Sequence, residues 1–197
     1  AETKSVLLRE VNHRVKNNLS AIIGFLYAEQ SRAELKDQAA YQTIIRELIT
    51  RVQGLSTVHT LLSASEWAPL SLSRLATQVI RSALDMIKPG RVAINVATSP
   101  VRVTSDQAHH LALIINELAT NTAKHALSGR DTAHIDVHIE THGDRIHFEF
   151  RDDGPGYPED VLHLNHYNVG FELITNIVQR SLRGKLALSN DDGAVAL

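Results

Sequence analysis

The 197-residue chain contains no cysteine. Disulfides, thiolate nucleophiles and cysteine-based metal sites are therefore excluded, and a reducing, cytoplasmic setting is expected. No apolar run approaches the roughly 20 residues that span a bilayer. The opening Ala1-Glu2-Thr3-Lys4 lacks the basic-then-apolar layout of a signal peptide. The formal net charge of −2 supplies no field that would gather nucleic acid or anionic lipid, so no nucleic-acid partner is expected. What is present is ordinary for a globular protein with a real core: 43% hydrophobic and 21% charged residues. The chain starts almost inside a helical pattern and stops within the apolar run Ala194-Val195-Ala196-Leu197. It reads as a piece of something longer.

The first half is helical in pattern and the second half mixed. From about residue 3 to 30, Leu8, Val11, Val15, Leu19, Ile22 and Leu26 recur at three- or four-residue spacing with no proline. After the polar turn 31–37, a second stripe follows a 4-3-4-3 spacing: Tyr41, Ile45, Leu48, Val52, Leu55, His59, Leu62. Two such helices form an antiparallel hairpin that cannot bury both stripes alone. A homodimer completing a four-helix bundle is expected.

Residues 63–69 read as a linker. Ser71 then caps a helix running to about Ile87, ended by Lys88-Pro89-Gly90. Val92 to Val96 reads as a strand and Asp106 to Leu127 as a helix. Two alternating segments follow, with Ile135, Val137, Ile139 and then Ile146, Phe148, Phe150 on one face, joined by a Gly143-Asp144 turn. A glycine-rich stretch precedes a last helix, about 170–182, and Lys185–Ser189 and Ala194–Leu197 are candidate closing strands. The expected fold is α+β, with the helical hairpin followed by an α/β sandwich on a mixed, mostly antiparallel sheet.

On the first helix, with Val11 at the centre of the buried stripe, Val15 lies about 40° away and His13 about 200° away. His13 therefore faces solvent, with Glu10 at i−3, Lys16 at i+3 and Asn17 at i+4. A nucleophilic ring nitrogen must be deprotonated, and the Glu10 carboxylate can fix the tautomer or take the proton. Arg14 and Lys16 can offset phosphate charge. Geometry alone favours an ordinary solvated surface histidine.

Helix 106–127 has an apolar stripe of Ala108, Leu111, Ala112, Ile115, Leu118, Ala119, Thr122 and Ala126. On another side Glu117, Asn121 and Lys124 align at i, i+4 and i+7. A carboxylate, an amide oxygen and an ammonium in one row suit Mg²⁺ and phosphate, or simply form a solvated helix face. Asp152 continues the inward series Ile146, Phe148, Phe150. A core-facing carboxylate at a strand end needs donors. The exocyclic amine of adenine is one, and local amides of an Asp-Gly turn are another. Gly154 and Gly156 let the backbone pass closely around a flat ligand. His134 and His138 share a strand face with Asp136, but no third ligand is evident, and they read as a wet face; so do His109-His110 and His163/His166.

The run Leu8-Arg9-Glu10-Val11-Asn12-His13-Arg14-Val15-Lys16-Asn17-Asn18-Leu19 closely resembles the phosphoacceptor box of the two-component histidine-kinase subfamily with a His-Arg-x-Lys-Asn-Asn signature. Asn116-Glu117-Leu118-Ala119-Thr120-Asn121-Thr122-Ala123-Lys124-His125-Ala126 resembles the N-box of the Bergerat-fold ATPases and kinases. Asp152-Asp153-Gly154-Pro155-Gly156 matches their Asp-x-Gly-x-Gly box, and Gly170-Phe171-Glu172-Leu173-Ile174 resembles the second glycine box.

The resemblance implies ATP and Mg²⁺ as cofactors. Asn121 would coordinate Mg²⁺, Lys124 and His125 would approach the phosphates, and amides at the helix start near Gly170 would hold them. Glu117 falls where ATP-hydrolysing members carry a general base. Residues 1–66 would be the dimerisation and phosphoacceptor hairpin and 67–197 the ATP-binding domain. The implied reaction is phosphorylation of His13 by ATP, then transfer to an Asp of a response-regulator receiver domain. Family members often carry a sensory domain upstream of the hairpin, and none is expected here. Two positions depart from the pattern: Asn165-His166-Tyr167-Asn168-Val169 stands where a glycine is usual, and Ala194 follows Gly193 where a threonine is usual. A histidine phosphotransferase with a degenerate ATP site is the main rival reading. An ATPase using Glu117 to activate water is a third.

Overall fold

The computed structural model describes Ile22 and residues 38–87, 91–162 and 169–196. Apart from Ile22, the first expected helix, with His13 and Glu10, lies outside the described residues, as do His163 and residues 165–168. The chain divides into two units, Ala1–Val52 and Gln53–Leu197.

Helix α1, Gln38–Ala64, runs through that division. In the first unit Leu48 is buried, whereas Ile49 and Val52 are exposed large hydrophobics. In the second unit Leu55, Val58 and Leu62 are buried, and Val58 and Leu62 belong to the main core. The expected linker is in fact built structure. Helix α1 runs to Ala64, and Trp67, at φ +62, packs against the core and sets its ring edge-on to His59 at 5.5 Å.

A short strand pair follows, β1 (Leu70–Ser71) with β3 (Arg102–Val103), antiparallel. Between them lie helix α2 (Leu72–Ile87) and strand β2 (Val92–Val96). Ser71 Oγ accepts from the Arg74 amide at 3.4 Å, capping α2. Along α2, Leu72, Leu75, Ala76, Val79, Ile80, Ala83 and Leu84 are buried, the spacing of one helical face. Helix α3, Ser105–His125, starts with a capping box: the Thr104 hydroxyl accepts from the Gln107 amide and the Gln107 side chain accepts from the Thr104 amide.

Strands β4 (Ala133–His142) and β5 (Arg145–Asp152) form the hairpin expected from their alternation, turning at Gly143-Asp144. Ala133, Ile135, Val137, Ile139 and Phe150 face the core. Ile146 was expected to join them but is 44% exposed, because it lies beside the hairpin tip, where Thr141 opposite it is also exposed. A short helix α4 (Glu159–Leu162) and helix α5 (Val169–Asn176) follow. The expected last helix changes pitch: Ile177–Ser181 is a π-helical turn, with the Leu182 amide donating to Ile177 O at 3.0 Å. Strands β6 (Leu188–Asn190) and β7 (Ala194–Ala196) close the sheet.

The five-stranded sheet has the order β2-β4-β5-β7-β6. Only β2 and β4 are parallel, so the sheet is mixed and mostly antiparallel. This α+β fold brings the end of β5 beside the C-terminal half of α3. Among the described residues, no helix is long and apolar enough to cross a membrane.

Candidate functional site

Cross-strand pairing sets the position of Asp152. It lies opposite Ile135 at the last rung of β5, in the phase of Phe150, and is 9% exposed. Helix α3 passes close enough for the Thr122 hydroxyl to donate to Asp152 Oδ2 at 2.8 Å. The amide of Gly154 donates to Oδ1 at 2.9 Å. Each carboxylate oxygen thus has one fixed donor and retains further acceptor capacity. A buried acceptor held from two directions offers a fixed edge for an amine.

Two glycines allow this geometry. A Cβ on Gly154 would stand 2.8 Å from both Ala126 Cβ and Asp152 Oδ1, so the turn meets the end of α3 only without a side chain. Gly193, at φ +141, would place a Cβ 1.8 Å from the Asp152 carbonyl oxygen. The late glycine is therefore required by the backbone of the site itself.

The rest of the turn is held from the edge strand β6. Asn190 Oδ1 accepts from the Tyr157 amide at 2.7 Å, and Asn190 Nδ2 donates to the Tyr157 carbonyl at 2.9 Å. Gly156, at φ +84, lies against that amide. The Tyr157 ring meets Phe171 edge-on at 5.4 Å, which brings the buried Gly170 and the first turn of α5 toward the same turn. Burial pushes the Tyr157 phenol pKa up, and the Asp152 charge pushes it further.

On α3, Glu117 is 5% exposed and engaged with a partner, so this part of the row is not a solvated face. Asn121, one turn on, has a buried Nδ2 without a hydrogen-bond partner among the described residues. Lys124 and His125 are exposed in the last turn, and Lys124 is partnered. Among the described residues no cluster of three His, Asp or Glu side chains forms a self-contained metal cage. A Mg²⁺ ion here would arrive with phosphates, and the residues fit that. The orphan Asn121 donor suits a phosphate oxygen, and its amide oxygen is a hard ligand of the kind Mg²⁺ takes.

Two family models match successive stretches of the chain. A histidine kinase family model matches residues 10–87, and a histidine kinase-, DNA gyrase B- and HSP90-like ATPase model matches residues 106–195. The chain belongs to the histidine kinase family. Sensor histidine kinase PdtaS of Mycobacterium tuberculosis is 25% identical over 188 residues, covering 94% of this chain and 37% of PdtaS. Blue-light-activated histidine kinase 2 of Erythrobacter litoralis is 28% identical, covering 87% of this chain and 50% of that protein. The chain thus spans half or less of these relatives. The solved histidine kinase domain of the E. litoralis EL346 blue-light activated kinase superposes with a TM-score of 0.67 at 26% identity, covering 96% of this chain and 90% of that one.

Within this kinase-family fold, the structure brings together Asp152, Gly154, Gly156 and the first turn of α5. It places Glu117, Asn121, Lys124 and His125 along the neighbouring α3. Sequence reasoning gave no role to Thr122, read as one more apolar-stripe position, or to Asn190 and Asp153. A hydroxyl at a buried helical position was the available signal for Thr122. The other two act through pairings distant in sequence and left no local signal.

Proposed function

We propose that this chain is the catalytic core of a sensor histidine kinase that seats Mg-ATP against Asp152 and passes the γ-phosphoryl group to His13. The observation carrying the reading is the Asp152 carboxylate, buried and anchored by Thr122 and Gly154 at the rim of the N-box helix. It accepts the exocyclic amine of adenine. Asn121 holds Mg²⁺, which would screen the phosphate charge; Lys124, His125 and the amides near Gly170 approach the phosphates. A His13 ring nitrogen forms the new N–P bond as the bond to the bridging oxygen of ADP breaks, and Glu10 fixes the tautomer or takes the ring proton.

Residues 1–66 serve as the phosphoacceptor hairpin and 67–197 as the nucleotide-binding domain. The exposed Ile49 and Val52 on α1 support a homodimer through the hairpin. An Asp of a response-regulator receiver domain is the proposed acceptor for the second transfer.

Incubation with γ-labelled ATP and Mg²⁺ tests the reading. The wild-type chain should label itself, and His13→Gln should not. Labelling only from an already phosphorylated donor protein would make it a phosphotransferase instead. Phosphate release that survives His13→Ala and stops with Glu117→Ala would make it an ATPase.

A further inference from the structure

Asp153, beside the base-recognising carboxylate, ties together three segments distant in sequence. Arg130 Nη2 donates to its Oδ2 at 2.8 Å, and Nη1 donates to Oδ1 at 3.3 Å and to the Asp153 carbonyl oxygen. The His134 amide donates to Oδ1 at 2.9 Å, and His134 Nδ1 lies 3.0 Å from Oδ2. The Asp153 amide donates back to the His134 carbonyl at 3.3 Å. The segment after α3, the start of β4 and the turn after β5 thus meet at one carboxylate. Arg130 lies four residues beyond Ala126, whose Cα and Cβ fill the space beside Gly154. The Thr122–Asp152 bond closes α3 against the turn on one side, and Arg130–Asp153 closes it on the other.

We propose that Arg130 and Asp153 are a positioning pair that fixes the direction of the Asp152 carboxylate and so sets its selectivity for an adenine amine. Hydrogen bonds weaken steeply with misalignment. A fixed acceptor-only group rejects a ligand that presents an oxygen where an amine belongs. A carboxylate free to swing loses that discrimination before it loses binding. Both side chains reach solvent, at 40% and 33% exposed, so the fold does not depend on burying them. The bidentate geometry is the kind of surface pair that retains its effect.

The inference rests on the ATP reading, and the test separates the two. Wild type, Arg130→Ala, Arg130→Lys, Asp153→Asn and the Arg130→Ala/Asp153→Asn double variant are titrated with Mg²⁺ and either ATP or inosine triphosphate, alongside thermal melts. Inosine triphosphate carries an oxygen in place of the exocyclic amine. Wild type should prefer ATP. Arg130→Ala should cut that preference by roughly three- to tenfold, as loss of a charge-assisted contact does, chiefly through weaker ATP binding. Arg130→Lys should restore part of it. The double variant should lose no more than the worse single one, because the two act as a unit. An unchanged ATP preference in the variants, with both affinities and the melting temperature falling together, overturns the proposal and leaves the ATP reading standing. A wild type that binds neither nucleotide overturns both.

Discussion

The Thr122 hydroxyl lies 2.8 Å from Asp152 Oδ2, joining the N-box helix to the end of the central hairpin inside the protein. Everything proposed for the nucleotide depends on that carboxylate being held rather than merely present. Thr122→Val keeps the shape of the side chain and removes the donor. We expect a stability loss of about 1–3 kcal/mol, the cost of leaving a buried group short of a partner, together with weaker ATP binding. Thr122→Ser should recover both. Denaturant melts and nucleotide titration on the same samples check this.

The turn glycines should tolerate nothing larger. In Gly154→Ala the new methyl meets Ala126 Cβ and Asp152 Oδ1 at 2.8 Å, and the Ala126 backbone cannot move aside cheaply. A destabilisation of about 1–3 kcal/mol is expected, with ATP affinity falling more than stability alone explains. In Gly193→Ala the methyl falls 1.8 Å from the Asp152 carbonyl oxygen at φ +141, so loss of folded protein is the expected result. Thermal unfolding of the two variants ranks them.

How much of this was legible in the sequence depended on how local the signal was. The hairpin followed from alternation, β2 stands at the residues read as a strand, and the Ser71 cap of α2 was recovered at the expected residue. Strands β1 and β3, two residues each, are too short to carry a period, and they exist because each pairs with the other. The strand order was equally silent, since local hydrophobic pattern fixes which face is buried but not which strand lies alongside. Trp67 looked like linker because positive φ at Glu66 and Trp67 folds the chain back onto the core, a bend that no glycine announces. In the site, Asp152 was legible because it continued an apolar series, whereas Arg130, Asp153 and Asn190 are joined only by the fold.

Asp153 gives the fold a definite acid response. Burial raises its pKa, but hydrogen bonds from Arg130 and from the His134 amide and ring outweigh it, and the result is lowered from 3.8 to about 2. A folded value below the unfolded one means the contribution is fully present above the unfolded pKa. It fades as pH falls from about 4 to about 2. Thermal midpoints of wild type and Asp153→Asn should therefore differ by a constant amount above pH ~5 and converge toward pH ~2.

Asn116, 1% exposed, has neither amide atom hydrogen-bonded among the described residues, and its Oδ1 lies 3.1 Å from where a Cβ on Gly54 would sit. Replacing an unpaired buried amide with a hydrocarbon of similar size removes a desolvation cost. Asn116→Leu should stabilise the chain by about 1–2 kcal/mol, seen as a higher unfolding midpoint. A lower midpoint would mean that this amide finds a partner in solution.

Calorimetric titration of ATP with Mg²⁺ into folded Asp152→Asn and His13→Gln, beside wild type, probes the core of the account most directly. His13→Gln should bind ATP like wild type, and Asp152→Asn, with its melting temperature near normal, should bind it at least tenfold more weakly. Equal ATP affinity in all three would show that the nucleotide does not sit on this carboxylate.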